Sequence, residues 1–259
     1  MNFHIKLPTG YAAGVMPRIK LADGWREGQE LFVKTAAGWR TVWRRTVVFI
    51  NTIERAGASI FELMGRPTKV GNYIFINRAV IYGGATGFAL RTGVFPAGSS
   101  LTIINESYLR GGGGNGGSHA GNMAGQPGFA ALLLDIPAQI NNAAGWIWGG
   151  GGGGGGSYAA SRDAGGGGGA GRPAGAGGSS FQTSTLPVYG ASYGTETAGG
   201  GGAGFPGAGP FGSAGGAPGL PGIGGTYAAG AAGNAVTTQG KVLTWLAGNT
   251  TDRVKGPII

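Results

Sequence analysis

Of 259 residues, 61 are glycine, against about 7% in ordinary proteins. The chain has no cysteine, its only histidines are His4 and His119, and its formal charge is +9. The missing cysteine excludes disulfide scaffolds, zinc ribbons, thiol catalysis and iron–sulfur clusters. Two histidines cannot supply a three-histidine metal site. At 41% hydrophobic and 10% aromatic residues, the chain is also too apolar for a fully disordered sequence.

Glycine and charge divide the chain in opposite ways. Forty-six of the glycines fall between residues 111 and 240, whereas residues 1–110 carry 14 basic and 6 acidic groups. Such a contrast predicts a boundary near Arg110, with one domain over 1–110 and a glycine-rich one over 111–240. The opening MNFHIKLPTG has no apolar core of secretory length. Val47–Ile50, the longest dense apolar run of the first half, is too short to span a bilayer. Folding in a cytoplasm, without membrane insertion, is the expectation, and the sequons at Asn105 and Asn249 are read as chance.

In chain order, runs rich in β-branched and aromatic residues and bounded by Gly, Pro or Asn predict strands at Phe3–Leu7, Leu31–Lys34, Trp39–Trp43, Val47–Ile53, Tyr73–Tyr82 and Leu101–Asn105. Gly38 suits a hairpin loop joining the second and third of these. Ala56–Met64 is the one candidate for a short helix, so the first 110 residues read as mostly β. Gly24-Trp25-Arg26 recurs as Gly38-Trp39-Arg40, which predicts two hairpin units with Trp25 and Trp39 in a small core. Trp and Arg are also enriched at interface hot spots, and Trp43-Arg44-Arg45 is the better candidate for facing a partner. The basic charge does not argue for nucleic acid: it is scattered, and Arg110-Gly111-Gly112 is a single RGG rather than an array.

The glycine-rich half has runs rather than random glycine: Gly111–Gly114, Gly149–Gly156, Gly165–Gly169 and Gly199–Gly202 are the longest. Collagen is excluded, because the three-residue glycine periods at 209–215 and 219–225 are out of phase. Two readings stay open on composition: a flexible linker, or packed polyproline-II-type helices. The second kind of helix has three residues per turn, rises about 3.1 Å per residue and makes no internal hydrogen bonds. With glycine throughout, neighbouring backbones can meet and satisfy one another.

The inserts between runs favour packing. Ser118–Met123, Ser157–Asp163, Ser179–Thr197, Pro210–Ser213 and Thr226–Tyr227 carry His119, Met123, Tyr158, Arg162, Phe181, Leu186, Tyr189, Tyr193, Phe211 and Tyr227. They read as loops joining antiparallel rods, and aromatics on Ser/Gly/Asn-rich loops are the composition of recognition loops. Leu132–Trp148 is apolar and nearly free of glycine. It is expected at the other end, packed with the first domain, where Lys241–Leu246 returns as a strand and the tail to Ile259 lies nearby. Trp146, Trp148 and Trp245 are expected in that core. Enzyme motifs fail: the G-x-G-x-x-G at Gly202–Gly207 lacks a βαβ context, and Gly240-Lys241 is followed by valine. Neither histidine has a carboxylate nearby in sequence. No catalytic residue, cofactor or metal ligand is expected.

A strand-rich first part followed by glycine blocks alternating with aromatic inserts, in about 260 cysteine-free residues, resembles the distal long-tail-fibre adhesins of T-even-type bacteriophages. The opening MNFHIKLPTGYAAGVMPRIKLADGW is similar to the start of that family. The resemblance implies that the first domain caps a trimeric fibre tip, one copy per fibre, with Trp39, Trp43, Arg44 and Arg45 as attachment candidates. It implies a layered sandwich of polyglycine-II helices with little α-helix. It implies loops that recognise an outer-membrane protein, commonly a porin, on a Gram-negative host. Carried over by position, the receptor-binding candidates are His119, Met123, Tyr158, Arg162, Phe181, Leu186, Tyr189, Tyr193 and Tyr227. The implied location is the virion, at the fibre tip, after assembly in the host cytoplasm. A fibre-assembly chaperone and a glycine-rich structural or ice-binding protein are the alternatives.

Overall fold

The computed structural model describes residues 18–21, 24–27, 30–84, 87–119, 122–159, 162–182, 190–204 and 211–259. Two antiparallel hairpins come first: β1 (Arg18–Leu21) with β2 (Gly24–Glu27), and β3 (Glu30–Thr35) with β4 (Gly38–Arg44). Both Gly-Trp-Arg triplets open the second strand of a hairpin, as their spacing suggested. Leu21 faces Gly24 and Thr35 faces Gly38. Gly38 has φ +113, a conformation that a side chain would strain. The core role expected for Trp39 is not observed: its side chain is 70% exposed. The expected strand Phe3–Leu7 and the side chain of Trp25 lie outside what is described.

From Thr46 onward the chain winds in rungs. The first rung is β5 (Thr46–Asn51), β6 (Arg55–Ala56) and β7 (Ala58–Ser59), followed by the single helical turn α1 (Ile60–Leu63). The second is β8 (Asn72–Asn77), β9 (Ile81–Tyr82) and β10 (Phe88–Arg91). The third is β11 (Ser100–Asn105), β12 (Tyr108–Arg110) and β13 (Ala130–Leu133). In the fourth, β14 (Ala138–Asn141) and β15 (Trp146–Trp148) come first. A small sheet of β16 (Ser157–Ala159), β17 (Arg162–Ala164) and β18 (Phe181–Gln182) intervenes before β19 (Val236–Thr237) closes the rung. The last rung has β20 (Leu243–Ala247), β21 (Val254–Lys255) and a bridge from Ile258 to Val236.

Equivalent strands of successive rungs pair in parallel, giving three sheets ordered β20-β14-β11-β8-β5, β21-β15-β12-β9-β6 and β19-β13-β10-β7. This is a parallel β-solenoid, roughly 19 Å along its axis at the usual strand spacing. Its core is columns of in-register apolar residues. Phe49, Phe75, Ile103, Ile140 and Trp245 stack in one column, Ile81, Leu109, Ile147 and Val254 in a second, and Ala58, Leu90, Leu132 and Val236 in a third. The rings of Phe49 and Phe75 are parallel within 5° at 5.9 Å.

A buried asparagine ladder runs up one corner. Asn51 Nδ2 donates to Asn77 Oδ1 (2.9 Å), Asn77 to Asn105 (2.9 Å), Asn105 to Asn142 (2.8 Å), and Asn142 to the Gly248 carbonyl (3.0 Å). Arg55 Nε starts the chain by donating to Asn51 Oδ1. Each amide would cost about 1–3 kcal/mol if buried without partners; in series, every member is satisfied.

Three differences from the sequence reading have local causes. The expected helix Ala56–Met64 shrinks to Ile60–Leu63, because Arg55–Ala56 and Ala58–Ser59 pair with β9 and β10. Tyr73–Tyr82 splits into β8 and β9 at a solenoid corner. Trp146 and Trp148 are not core residues. Ile147 takes the inward position, and strand alternation turns both tryptophans outward. Trp245 does pack against the core.

The chain leaves the solenoid twice, over residues 111–129 and 149–235, each time from the second sheet and back to the third. These excursions are glycine segments that bond to one another through backbone. All eight N–H groups of Gly149–Gly156 donate, and their partners repeat every third residue. Gly150, Gly153 and Gly156 donate to Phe129, Gln126 and Met123. Gly151 and Gly154 donate to Ala170 and Gly167, and Gly152 and Gly155 to Leu220 and Ile223. Contacts are too close for side chains: a Cβ on Gly153 would lie 1.9 Å from the Asn115 carbonyl oxygen.

Candidate functional site

The glycine segments have two kinds of end. At one, Gly149 N–H donates to Lys255 and Gly111 N–H to Trp148, both solenoid residues. The outer face of the second sheet meets them with aromatics and cations. Arg110 lies 4.2 Å from the Tyr108 ring, Arg172 lies 4.5 Å from Tyr82, and Lys255 lies 4.2 Å from Trp148. Arg110 pairs with Glu196, and Arg172 pairs with Glu54 at 2.5 Å and Glu196 at 3.5 Å. Tyr108 and Trp146 stack at 4.5 Å. This junction fixes the base.

Gly156 marks the other end. Here four inserts meet. The sheet β16–β18 sets Asp163 opposite both Tyr158 and Phe181. His119 reaches across from the first excursion: its Nδ1 pairs with the Asp163 carboxylate, and its ring stacks on Phe181 at 4.5 Å and 14°. Its N–H donates to the Ser179 carbonyl at 3.1 Å, and Ser118 and Ser179 hydroxyls join at 2.5 Å. Tyr158 N–H donates to Thr226 Oγ1 at 3.4 Å, Thr226 N–H donates to Ser157 Oγ at 3.3 Å, and Tyr227 N–H donates to the Gly156 carbonyl at 3.1 Å. Tyr158, Phe181, Phe211 and Tyr227 are exposed.

The structure therefore brings together His119, Met123, Tyr158, Arg162, Phe181 and Tyr227. Leu186 and Tyr189 lie outside the described residues. Tyr193 is not with them. Residues 190–195 run beside the rods: Gly168 N–H donates to the Ser192 carbonyl, and Gly194 N–H donates to that of Gly175. Tyr193 projects from this flank, 71% exposed, and Glu196 already belongs to the base. The insert Ser179–Thr197 thus spans both ends instead of forming one loop.

Asp163 was missed as the partner of His119 because 44 residues separate them; only the rod pairing makes them neighbours. Among the attachment candidates, Trp39 is exposed. The Arg44 guanidinium donates to the Gly98 carbonyl at 2.5 Å, which ties the second hairpin to the solenoid. Arg45 is half-buried, and the Trp43 side chain is outside what is described. Among the described residues there is no cluster of three or more potential metal ligands, and no helix is long and apolar enough to cross a membrane.

Aromatic loops held at the far end of a backbone-packed stem, on a solenoid base, define a binding protein built to present a recognition surface. The chain belongs to the Gp38 family of phage tail fibre adhesins, which matches residues 50–259. It is also similar to a chain in the crystal structure of the gp37–gp38 adhesin tip complex of the bacteriophage S16 long tail fibre, with 25% identity, a TM-score of 0.57 and 83% of each chain covered. No curated protein matches it. The family is a receptor-binding component of the virion's tail fibre, not an enzyme.

Proposed function

We propose that this chain caps the distal tip of a long tail fibre and binds a host outer-membrane protein through loops that join polyglycine-II helices. The three-residue period of the glycine hydrogen bonds supports the helix type, since three residues per turn send successive N–H groups to three different neighbours. On this reading residues 111–240 supply the receptor-binding sandwich, apart from the solenoid strands β13, β14, β15 and β19. Residues 1–110, with 132–148 and 241–259, make the fibre-bound base. The partner at the base is the trimeric fibre-tip protein, contacted by a single copy through Trp39, Trp43, Arg44 and Arg45. Assembly takes place in the host cytoplasm.

One observation carries the receptor reading: exposed aromatics from four separate inserts converge at the end of the rods away from the solenoid. His119, Met123, Tyr158, Arg162, Phe181 and Tyr227 recognise a porin-like protein, with Leu186 and Tyr189, outside the described residues, kept as sequence candidates for the same contact. Tyr193 contributes only if the receptor reaches down the flank.

Labelled protein should bind receptive Gram-negative cells saturably, and solubilised outer-membrane proteins should compete. Replacing both Tyr158 and Tyr227 with alanine should lower binding at least 100-fold, about 2.7 kcal/mol, while the thermal transition stays in place. Unchanged binding by the folded variant would remove these loops from the contact. Failure of wild type on a broad panel would remove the receptor reading.

A further inference from the structure

The second hairpin, with Phe32 and Trp39 exposed, is not the only surface of the base that presents apolar residues to solvent. Along the first sheet, inward residues fill the core and the alternate residues point outward. Outward columns follow from the register: Val48, Ile74, Thr102, Gln139, Thr244 and, beside it, Ile50, Ile76, Ile104, Asn141, Ala247. Both columns are aliphatic at the first rungs and turn polar or small further along. Leu246 is displaced by the irregularity at Ile140–Asn141. Val48 is 53% exposed, Ile50 44% and the following Ile53 61%. β5, the most exposed of these strands, is also the edge of its sheet.

An exposed aliphatic sheet face with an open edge is costly unless it is used. Gln139, Asn141 and Thr244 in the same columns show that the fold does not require apolar residues there. The face is also continuous with the second hairpin. Only Arg45 separates β4 from β5, Phe32 and Trp39 are exposed on that hairpin, and Arg44 fastens it to the loop before β11.

We propose that the outward face of the first sheet, centred on Val48, Ile50, Ile74 and Ile76, is the main docking surface for the fibre partner, with the second hairpin at its border. This rests on the fibre-tip reading above. Flat rows of β-branched side chains pack best against another sheet face, so the partner presents a strand-built apolar surface. A stable interface buries about 800 Å² on each side, more than two short aliphatic columns offer, and the hairpin supplies the remainder. Attachment through Trp39–Arg45 alone would leave this face bare.

The test is co-expression of the full chain with its fibre protein, followed by affinity capture. The variant Ile50→Thr/Ile76→Thr keeps β-branched residues like the Thr102 and Thr244 of the neighbouring column, so the strands persist. It should retain the fibre protein at least tenfold more weakly than wild type, and Ile50→Lys/Ile76→Lys at least 100-fold more weakly, with unaltered circular dichroism and cell binding by the free chain. Wild-type retention by the folded threonine variant would overturn the proposal and leave the fibre-tip reading standing. If wild type itself does not retain the fibre protein, both fall. A free chain that sediments as a dimer, becomes a monomer on these substitutions and still holds the fibre protein would assign the face to self-association instead.

Discussion

Glycine is required at individual positions here because of what a Cβ would strike. At Gly153 it would meet the Asn115 carbonyl oxygen at 1.9 Å, and that oxygen already accepts a hydrogen bond from Gln126. At Gly224 the nearest atom, the Tyr227 carbonyl oxygen, is 3.8 Å away. Gly153→Ala should lower unfolding stability by about 3 kcal/mol or more, and Gly224→Ala should stay within about 1 kcal/mol of wild type. Urea unfolding of the two variants checks this. Similar losses for both would mean that composition, and not packing, sets the glycine requirement. A second residue-scale effect concerns Asp135. Burial opposes its charge, but hydrogen bonds from Arg91, the Gly93 N–H and Thr92, together with the Arg91 charge, outweigh burial and hold its pKa below the ordinary value. A lowered carboxyl pKa stabilises above the unfolded value near about 4, and that contribution disappears as pH falls through the folded value. Asp135→Asn should therefore cost about 2 kcal/mol at pH 7, and the gap to wild type should close as acid protonates the carboxylate, below the ordinary carboxylate range. A gap that persists at low pH would mean the loss is not tied to the carboxylate's charge.

Eight consecutive glycines would ordinarily exchange their amide hydrogens within seconds. Here every N–H from Gly149 to Gly156 has an acceptor within 3.0 Å, and all eight residues are buried. Hydrogen exchange should find this element as protected as β8 or β11, and coil-like exchange would refute the packed arrangement. That this element packs instead of trailing as a linker was legible beforehand from run lengths and aromatic inserts. The strands Leu31–Lys34, Trp39–Trp43 and Leu101–Asn105 were legible for the usual reason, branched and aromatic residues between turn formers. The solenoid was not recognised, although a signal existed. Phe49-Ile50-Asn51, Phe75-Ile76-Asn77 and Ile103-Ile104-Asn105 repeat at 26 and 28 residues, and the asparagines form the ladder. Two-residue strands such as β6 and β9 are too short for any pattern, and the excursion of 149–235 hides the return of β19. At the tip, the inserts were readable as connections between glycine runs, but not the strands β16, β17 and β18 that two of them form, which are only two or three residues long. Pairing of His119 with Asp163, and the course of 190–198 back to the base, depend on which rods are neighbours, and a period of three glycines cannot specify that.

At the scale of the molecule, the two halves are held together by different physics. The solenoid coheres through side-chain columns and one amide ladder, so its inward positions are restricted in identity and volume. The rods cohere through N–H and C=O groups that any sequence of glycines provides, so their core asks nothing of the residues at their ends. Both excursions start on the second sheet and return to the third, so the bundle they form together is bound to the solenoid by four covalent crossings and, through the second excursion, by the ion pairs of Arg110 and Arg172 at the base. Rigidity is thus transmitted from base to tip without using any tip side chain. Substitutions among Tyr158, Phe181, Phe211 and Tyr227 change the chemistry of the exposed surface while the backbone bonds beneath them persist. His119 and Asp163 differ from these, because they bind inserts to each other and so set the spacing of the aromatics. If this surface binds the receptor as proposed above, it can change what it recognises by exchanging exposed aromatics, provided the cross-insert pairs and the glycines below keep their places.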